Sequence, residues 1–160
     1  MDVFRTRDAR VLRTLQLDWG GDTDFMNLVS GRRYNEGKRA SKTEAVVWNH
    51  PDTDAYISAS DYIPFLGNGK EAYIRLEGAI YASAKVRIDV TMSVEDAYNS
   101  AGILAKAILC AGLATRQRLG GVLTEPSAWF FKHPPKQMND SDSLQGYRRL
   151  MERLHSGSAV

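Results

Sequence analysis

Apolar and polar residues alternate along several stretches of the chain, and each stretch predicts a β-strand. Val11–Trp19 places leucines between polar residues, and Tyr73–Tyr81 and Lys85–Met92 alternate most clearly. The latter two are separated by Ala82–Ala84, which predicts a hairpin. Asp54–Ser58 is a shorter candidate. Such alternation gives each strand one buried and one polar face, as in an antiparallel sheet that helices cover on one side.

Apolar residues at helical spacing predict the main helices. Asn99–Arg118 is the longest, and Gly120–Gly121 ends it, so we expect it to be the main helix of the core. A short helix follows Pro126, and Leu144–Leu154 forms the last one. The pattern as a whole predicts an α+β fold, in which a mostly antiparallel, mixed sheet has helices packed on one face.

The first third of the chain has weaker helix signals. Asp2–Arg10 is weakly helical, and Phe25–Leu28 suggests a short helix. Ser41 and Glu44 have the spacing of a capping box, in which each side chain bonds to the backbone N–H of the other. This box predicts a helix over Lys42–Asn49, and the polar residues before it are then expected to form a loop.

Composition limits the classes of protein and partner. The 160 residues are 43% apolar and 25% charged, as in a soluble domain. We assign this domain to residues 1–138 and expect a C-terminal helix and a flexible tail in 139–160. A net charge of +2 gives no broad patch for nucleic acid or a membrane. The first residues do not resemble a cleaved leader, and the apolar run 101–114 is too short to span a bilayer. Cys110 is the only cysteine in the sequence, so no internal disulfide is expected. We therefore expect a cytoplasmic protein. The three histidines lack ligand partners, so no metal is expected.

The segment Gly20–Lys42 concentrates the candidate chemistry. Two glycines allow a tight turn that presents Asp22 and Asp24, and Lys38 and Lys42 follow at i,i+4 spacing. On one helical face these lysines would repel each other unless an anion lay between them. The segment therefore predicts an anion site, and the alternative is a solvated polar loop.

Five segments resemble the myo-inositol-1-phosphate synthase (inositol-3-phosphate synthase) family, especially its bacterial and archaeal branch. They occur in the family's order and run from about Arg13 to Met138: RTLQLDWGGDTDFMNL, GKRASKTEAV, SDYIPFLGNGKEAYIRLEG, VEDAYNSAGI and PSAWFFKHPPKQ. The resemblance implies the family's catalytic and oligomerisation domain. It also implies conversion of glucose 6-phosphate to an inositol phosphate by oxidation, enolisation, aldol closure and reduction with NAD as cofactor.

The resemblance implies roles for individual residues. Each step of that reaction builds negative charge on oxygen, which fixed lysine ammonium groups stabilise. The residues that match the family's catalytic positions are Lys38, Lys42, Lys70, Lys132 and Asp96, and Asp96 is also a candidate for contact with the cofactor. The predicted substrate-binding residues are Asp22, Asp24 and Asn68. We expect the four lysines to converge on one pocket.

Two positions depart from the family's pattern, and part of that pattern is missing. The family usually has Asn at the position of Asp22 and an acid at that of Asn68. No GxGxxG occurs in the sequence, so the chain is not expected to hold NAD by itself. The expected partners are a sugar phosphate, further copies in a dimer or tetramer, and a separate NAD-binding chain. The alternative is a non-catalytic sugar-phosphate-binding or assembly module that associates with a synthase.

Overall fold

A five-stranded sheet forms the centre of the first of two compact units, which are residues 1–96 and 97–160. The computed structural model describes residues 2–58 and 60–156. The strands are β1 (Arg10–Gly20), β2 (Asp54–Ile57), β3 (Asp61–Tyr62), β4 (Gly69–Ala79) and β5 (Lys85–Glu95). The sheet order is β2-β1-β4-β5, and β3 follows β2 along the same edge of β1. The sequence predicted a boundary between residues 1–138 and a C-terminal helix and tail in 139–160, and that boundary stays a prediction.

The hairpin and the long first strand set the register of the sheet. β4 and β5 are antiparallel and pair Gly69 with Glu95, and β1 is antiparallel to β4 and pairs Gly20 with Lys70. The short strands β2 and β3 run parallel to β1. The predicted hairpin and mixed, mostly antiparallel sheet are therefore confirmed.

Three helices accompany this sheet, α1 (Asp2–Arg5), α2 (Thr23–Ser30) and α3 (Arg32–Val47). A Cβ added to Gly78 would meet the ring of Phe4, and one added to Gly20 would meet the ring of Phe25. Because side chains alternate along a strand, these contacts place α1 and α2 on the same face of the sheet. The predicted α+β class with helices on one face is confirmed.

The predicted helix boundary at Ser41 is wrong. Ser41 lies in the middle of α3, and its hydroxyl donates to the backbone oxygen of Lys38 at 3.0 Å instead of capping an N-terminus. The helix begins just after Gly31 because lysine, arginine, alanine and glutamate, which are good helix formers, fill most of the segment up to Ser41. The residues predicted to form a loop before Ser41 are therefore the first part of α3, whereas the predicted short helix at Phe25–Leu28 lies within α2.

The second unit is helical and has its own core. Its helices are α4 (Asp96–Arg116, which begins at the last residue of the first unit), α5 (Thr124–Phe130) and α6 (Asp140–Ser156). Cys110 and Ala114 pack with Leu150 and Leu154 in its centre. Burial raises the pKa of the Cys110 thiol, in agreement with an inert cysteine. The predicted tail falls mostly on 157–160, outside the described residues.

The expectation that α4 would be the main core helix is wrong for most of its length. Only Cys110 and Ala114 are buried, while Ile103, Leu104 and Ile108 are exposed. The helix is also longer than the apolar run in the sequence. Its 21 residues are long and apolar enough to cross a membrane by length and composition alone, which is weak evidence because helices of soluble proteins pass the same test.

The face of the hairpin opposite Ala72 and Gly78 carries a network of charged and polar groups. Arg75 Nε donates to Asp89 at 2.8 Å, and the hydroxyl of Tyr73 donates to the same carboxylate at 2.7 Å. Arg87 Nε also lies 2.8 Å from Asp89. The hydrogen bonds from Tyr73 and then Arg75 lower the pKa of Asp89, so this carboxylate is held in its charged form.

We expect Gly78→Ala to destabilise the protein by about 1–3 kcal/mol, because overpacking of a filled site costs that much. The new Cβ would lie 2.6 Å from the backbone oxygen of Arg10, which cannot move without breaking the sheet. Gly102→Ala in α4 is the matched control, since its Cβ would meet open space. Thermal unfolding should show a lower Tm only for the Gly78 variant, and equal stability of both variants would contradict the packing described.

Asp89 should make stability fall in acid. Its pKa is lowered in the folded state, so its contribution is present above the unfolded pKa of about 3.9 and is lost as pH falls through the lower folded value. Urea unfolding at pH 7 and pH 3 should therefore show a smaller loss of stability for Asp89→Asn than for the unmodified chain. Asp52→Asn, in an exposed turn, serves as the control, and an unchanged pH dependence in Asp89→Asn would refute the expectation.

Candidate functional site

The candidate site lies at the end of the sheet where β1 finishes and β4 begins. The Gly21 N–H donates to the backbone oxygen of Gly69 at 3.1 Å, so the two glycine loops predicted from the sequence are adjacent. A Cβ on Gly21 would lie 2.7 Å from the backbone oxygen of Gly67, and only glycine allows this close approach. Side chains that follow either loop are thereby held near the same end of the sheet.

Lys42 reaches this end of the sheet from α3 and forms a buried ion pair. Its Nζ lies 2.9 Å from Asp18 Oδ2 and 3.1 Å from Asp18 Oδ1. The side chains are 16% and 2% exposed, respectively. A carboxylate so fully removed from water must be compensated by a cation and hydrogen bonds. The pair therefore fixes α3 against β1.

Two serines complete the surroundings of this ion pair. Ser60 Oγ accepts a hydrogen bond from Lys42 Nζ at 2.8 Å and donates to Asp18 Oδ1 at 3.0 Å. Ser58 Oγ donates to the same carboxylate at 3.4 Å, and the Asp18 N–H donates back to Ser58 Oγ. Ser60 is buried and has a φ of 141°, which few residues other than glycine adopt. The result is a polar cluster of Asp18, Lys42, Ser58 and Ser60.

Lys38 is paired with Asp24, one of the predicted substrate-binding residues. Its Nζ contacts both carboxylate oxygens of Asp24, which lies in the first turn of α2. The Asp24 side chain is 51% exposed, whereas that of Lys38 is 20% exposed. This ion pair joins α2 to α3 at the surface, and its carboxylate is accessible to solvent.

Lys70 lies opposite Gly20 in the sheet and interacts with Asp96. Its Nζ is 3.4 Å from Asp96 Oδ1 and 5.6 Å from the centre of the Phe25 ring, where a cation is attracted to the aromatic face. The Asp96 N–H donates to the backbone oxygen of Asn68 at 2.9 Å. Asn68 therefore positions Asp96 through its main chain, and the predicted role of its side chain stays a prediction.

Asp22 has a structural role that the sequence did not predict. It is the N-cap of α2, and its Oδ1 accepts from the N–H groups of Asp24 at 2.8 Å and Phe25 at 3.1 Å. A capping carboxylate satisfies amides that are otherwise unpaired at the start of a helix. Its predicted contact with substrate stays a prediction.

The i,i+4 spacing puts the like charges of Lys38 and Lys42 on one face of a helix, and the structure gives each lysine its own carboxylate. Both lysines lie in α3, although the sequence predicted a loop at Lys38. Their charges are balanced by Asp24 and Asp18 respectively. Repulsion between the lysines is thereby offset by groups of the protein, and the cations are held in place by neighbouring side chains.

Asp18, Ser58 and Ser60 were missed by the sequence analysis. Leucines at Leu15 and Leu17 suggested that the polar residues of β1 faced solvent, yet Asp18 is 4% exposed and the leucines are only half-buried. One signal for Asp18 was available in the sequence. Asp18 lies two residues before Gly20, so both residues are on the same face of the strand, next to the predicted glycine turn.

Lys132 lies in the second unit and is described separately. It follows α5 in an exposed loop, and its backbone oxygen accepts from Gln137 Nε2 at 2.9 Å. Three predicted lysines thus lie at one end of the sheet in the first unit. The expected convergence of Lys132 with them stays a prediction.

The start of α2 does not fit the pyrophosphate of a dinucleotide. The cofactor's pyrophosphate is usually held by free N–H groups at a helix N-terminus after a GxGxxG turn. The glycine turn here also leads from a strand to a helix, but the acidic side chain of Asp22 already occupies the amides at the start of α2. Its negative charge would repel a pyrophosphate at this position.

Comparison with known proteins places these features in a family. The sequence profile described as myo-inositol-1-phosphate synthase matches residues 1–97, which include the whole first unit. The inositol-3-phosphate synthase of Corynebacterium glutamicum is 36% identical in an alignment of length 147 that covers 86% of this chain and 40% of the relative. The inositol-3-phosphate synthase of Mycobacterium tuberculosis H37Rv is 35% identical in an alignment of length 142 that covers 86% of this chain and 38% of the relative.

The fold agrees with that of a solved relative. A crystal structure of a myo-inositol-1-phosphate synthase-related protein from Thermotoga maritima superposes with a TM-score of 0.76 at 20% identity, over 92% of this chain and 40% of the other. The chain spans about 40% of the length of the curated relatives it matches. The resemblance seen in the sequence is confirmed, and the chain belongs to the myo-inositol-1-phosphate synthase family.

Proposed function

We propose that this chain supplies the lysine-bearing sugar-phosphate site of an inositol-3-phosphate synthase. In this proposal the site serves the NAD-dependent conversion of glucose 6-phosphate to an inositol phosphate in the cytoplasm. The observation that carries the proposal is the set of three lysine–aspartate pairs at one end of the sheet, which are Lys38–Asp24, Lys42–Asp18 and Lys70–Asp96.

Preformed ion pairs suit a site that binds a multiply charged anion. Each aspartate keeps its lysine ordered before substrate arrives, so less conformational entropy is lost on binding. A phosphate dianion carries more charge than a carboxylate and can replace it on an accessible lysine. Asp24 and Asp96 are 51% and 28% exposed, so Lys38 and Lys70 can exchange partners in this way.

The remaining predicted residues take roles that this arrangement allows. Asp96, at the start of α4, would orient a substrate hydroxyl or the nicotinamide end of the cofactor beside Lys70. Lys132 keeps the catalytic role that the resemblance implies. Fixed cations of this kind stabilise the oxyanions that form during enolisation and aldol closure.

NAD is proposed to come with a separate nucleotide-binding chain or domain. The capped start of α2 and the absence of a GxGxxG turn are the basis for this part of the proposal. This chain's residues would then bind and orient the sugar phosphate, while the oxidation and reduction would be the chemistry of the cofactor.

A second candidate function is a non-catalytic sugar-phosphate-binding or assembly module that associates with a synthase. The observation that favours it is Asp22, which departs from the family's usual residue and is used as a helix cap. A chain that keeps the anion site but lacks the means to hold NAD could regulate or stabilise a partner enzyme.

We expect the isolated chain to bind inorganic phosphate or glucose 6-phosphate weakly, with Lys38→Ala and Lys70→Ala each weakening binding by about tenfold. Lys85→Ala is the matched control, because Lys85 pairs with Ala79 at the far end of the hairpin. Isothermal titration calorimetry measures all four proteins. Binding that is absent, or indifferent to both site variants, would contradict the proposed site and favour the assembly module.

The same chain should show no inositol phosphate formation from glucose 6-phosphate and NAD. Hydride transfer requires the nicotinamide close to the sugar carbon, and misplacement by about 1 Å can cost ~100-fold in rate. Product formation is measured by release of inositol after phosphatase treatment. Turnover by the isolated chain would overturn the need for a separate nucleotide-binding chain.

We also propose that the chain forms a dimer or tetramer through the hairpin. The proposed contact surface is its polar face, which carries the Arg75–Asp89 network and which a single domain leaves open. Light scattering at tens of micromolar, where specific interfaces of standard size are populated, should report an oligomer. Thr91→Lys, at an exposed position of that face opposite Tyr73, should shift it towards monomer, whereas Val122→Lys, at an exposed site in the second unit, should not. A monomeric unmodified chain would refute association.

A further inference from the structure

The backbone at Ser60 is strained although the residue is not glycine. Its φ is 141°, and its side chain is buried beside the ion pair of Asp18 and Lys42. Glycine adopts such a conformation without a clash of Cβ, whereas any other residue is strained there. A strained conformation persists only where its surroundings hold it, and such residues concentrate at functional sites.

The hydroxyl of Ser60 is the group that a glycine would lack. It accepts from Lys42 Nζ at 2.8 Å and donates to Asp18 Oδ1 at 3.0 Å, so it bridges the two members of the ion pair. Together with the bonds from Nζ to Asp18, this bridge constrains the ammonium group from two directions. The strain at Ser60 is therefore coupled to the position of Lys42.

Lys42 differs from the other two lysines in how it is held. The carboxylates that contact Lys38 and Lys70 are partly open to solvent, whereas Asp18 has 2% of its side chain exposed. A buried carboxylate cannot leave its partner without exposing a new apolar cavity or stranding a charge. An arriving anion can therefore take over Lys38 and Lys70 while Lys42 keeps its bonds to Asp18 and Ser60.

We propose that Asp18 and Ser60 are positioning residues that fix the Lys42 ammonium for a phosphate-bearing ligand. This inference rests on the proposed function, since it assigns a fixed cation to the same sugar-phosphate site. Lys42 then remains a stationary positive charge beside the anion, and Lys38 and Lys70 are the contacts that exchange. Ser60 keeps its costly backbone conformation because its hydroxyl is needed for this arrangement.

Two substitutions at Ser60 separate positioning from stability. Ser60→Ala removes the hydroxyl and keeps the strain, while Ser60→Gly removes the hydroxyl and relieves the strain. The glycine variant should therefore unfold at a higher temperature than the alanine variant, by roughly 2–4 °C. Both should bind inorganic phosphate about five- to tenfold more weakly than the unmodified chain, since both lose the same charge-assisted hydrogen bond.

Ser83→Gly is the matched control. Ser83 also has a positive φ, of 60°, but lies exposed in the turn between β4 and β5. Its replacement should leave phosphate binding unchanged.

A second readout is the ammonium resonance of Lys42 in nitrogen-15 NMR spectra, assigned by its absence in Lys42→Arg. This resonance should be visible in the unmodified chain and lost in both Ser60 variants, because a mobile ammonium exchanges its protons rapidly.

The outcomes distinguish this inference from the proposed function. Phosphate binding by Ser60→Gly equal to that of the unmodified chain would overturn the positioning role and leave the proposed site standing. Binding that falls only as stability falls would assign Ser60 a structural role, which also overturns the inference. Failure of the unmodified chain to bind phosphate would refute the proposed function, and the Lys42 resonance would still decide whether Ser60 holds the ammonium.

Discussion

The buried ion pair between Asp18 and Lys42 is the interaction on which the candidate site depends. Loss of one member of such a pair typically costs about 3–5 kcal/mol, because the other charge is left buried. The pair joins β1 to α3, and Lys38 lies one turn before Lys42 on the same helix. The position of Lys38 over α2 is therefore fixed by the same contact, so two of the predicted cations depend on one carboxylate.

The three aspartates that pair with the lysines differ in how far their side chains are exposed to solvent. Asp18 is enclosed, Asp96 is partly open and Asp24 is half exposed. Interactions between charges weaken as solvent screens them, so Lys42 is held more strongly than Lys38 and Lys70. A site built in this way can stay folded without a ligand and still offer cations to one. This difference in exposure explains how the same ion pairs can stabilise the fold and still bind an anion.

The sequence predicted the strands and the lysine spacing because both follow from local periodicity. Alternation located the hairpin of β4 and β5, and the i,i+4 spacing of Lys38 and Lys42 fits the helix that contains both. The extent of α3 was missed because its polar residues carry no apolar stripe. Asp18 and Ser60 were missed for a different reason, since their roles arise from tertiary contact and backbone strain, which neither composition nor periodicity reports.

The two departures from the family's pattern keep the local structure while they move charge. At position 22 either Asn or Asp caps a helix equally well, so α2 tolerates the change to Asp22. At position 68 the structural contact is the backbone oxygen of Asn68, which any side chain allows. Relative to the pattern that the resemblance implies, one negative charge has thus moved from the loop before Lys70 to the start of α2. In the proposed sugar-phosphate site, this change would favour an anion beside Lys70 over one beside Lys38, because like charges repel.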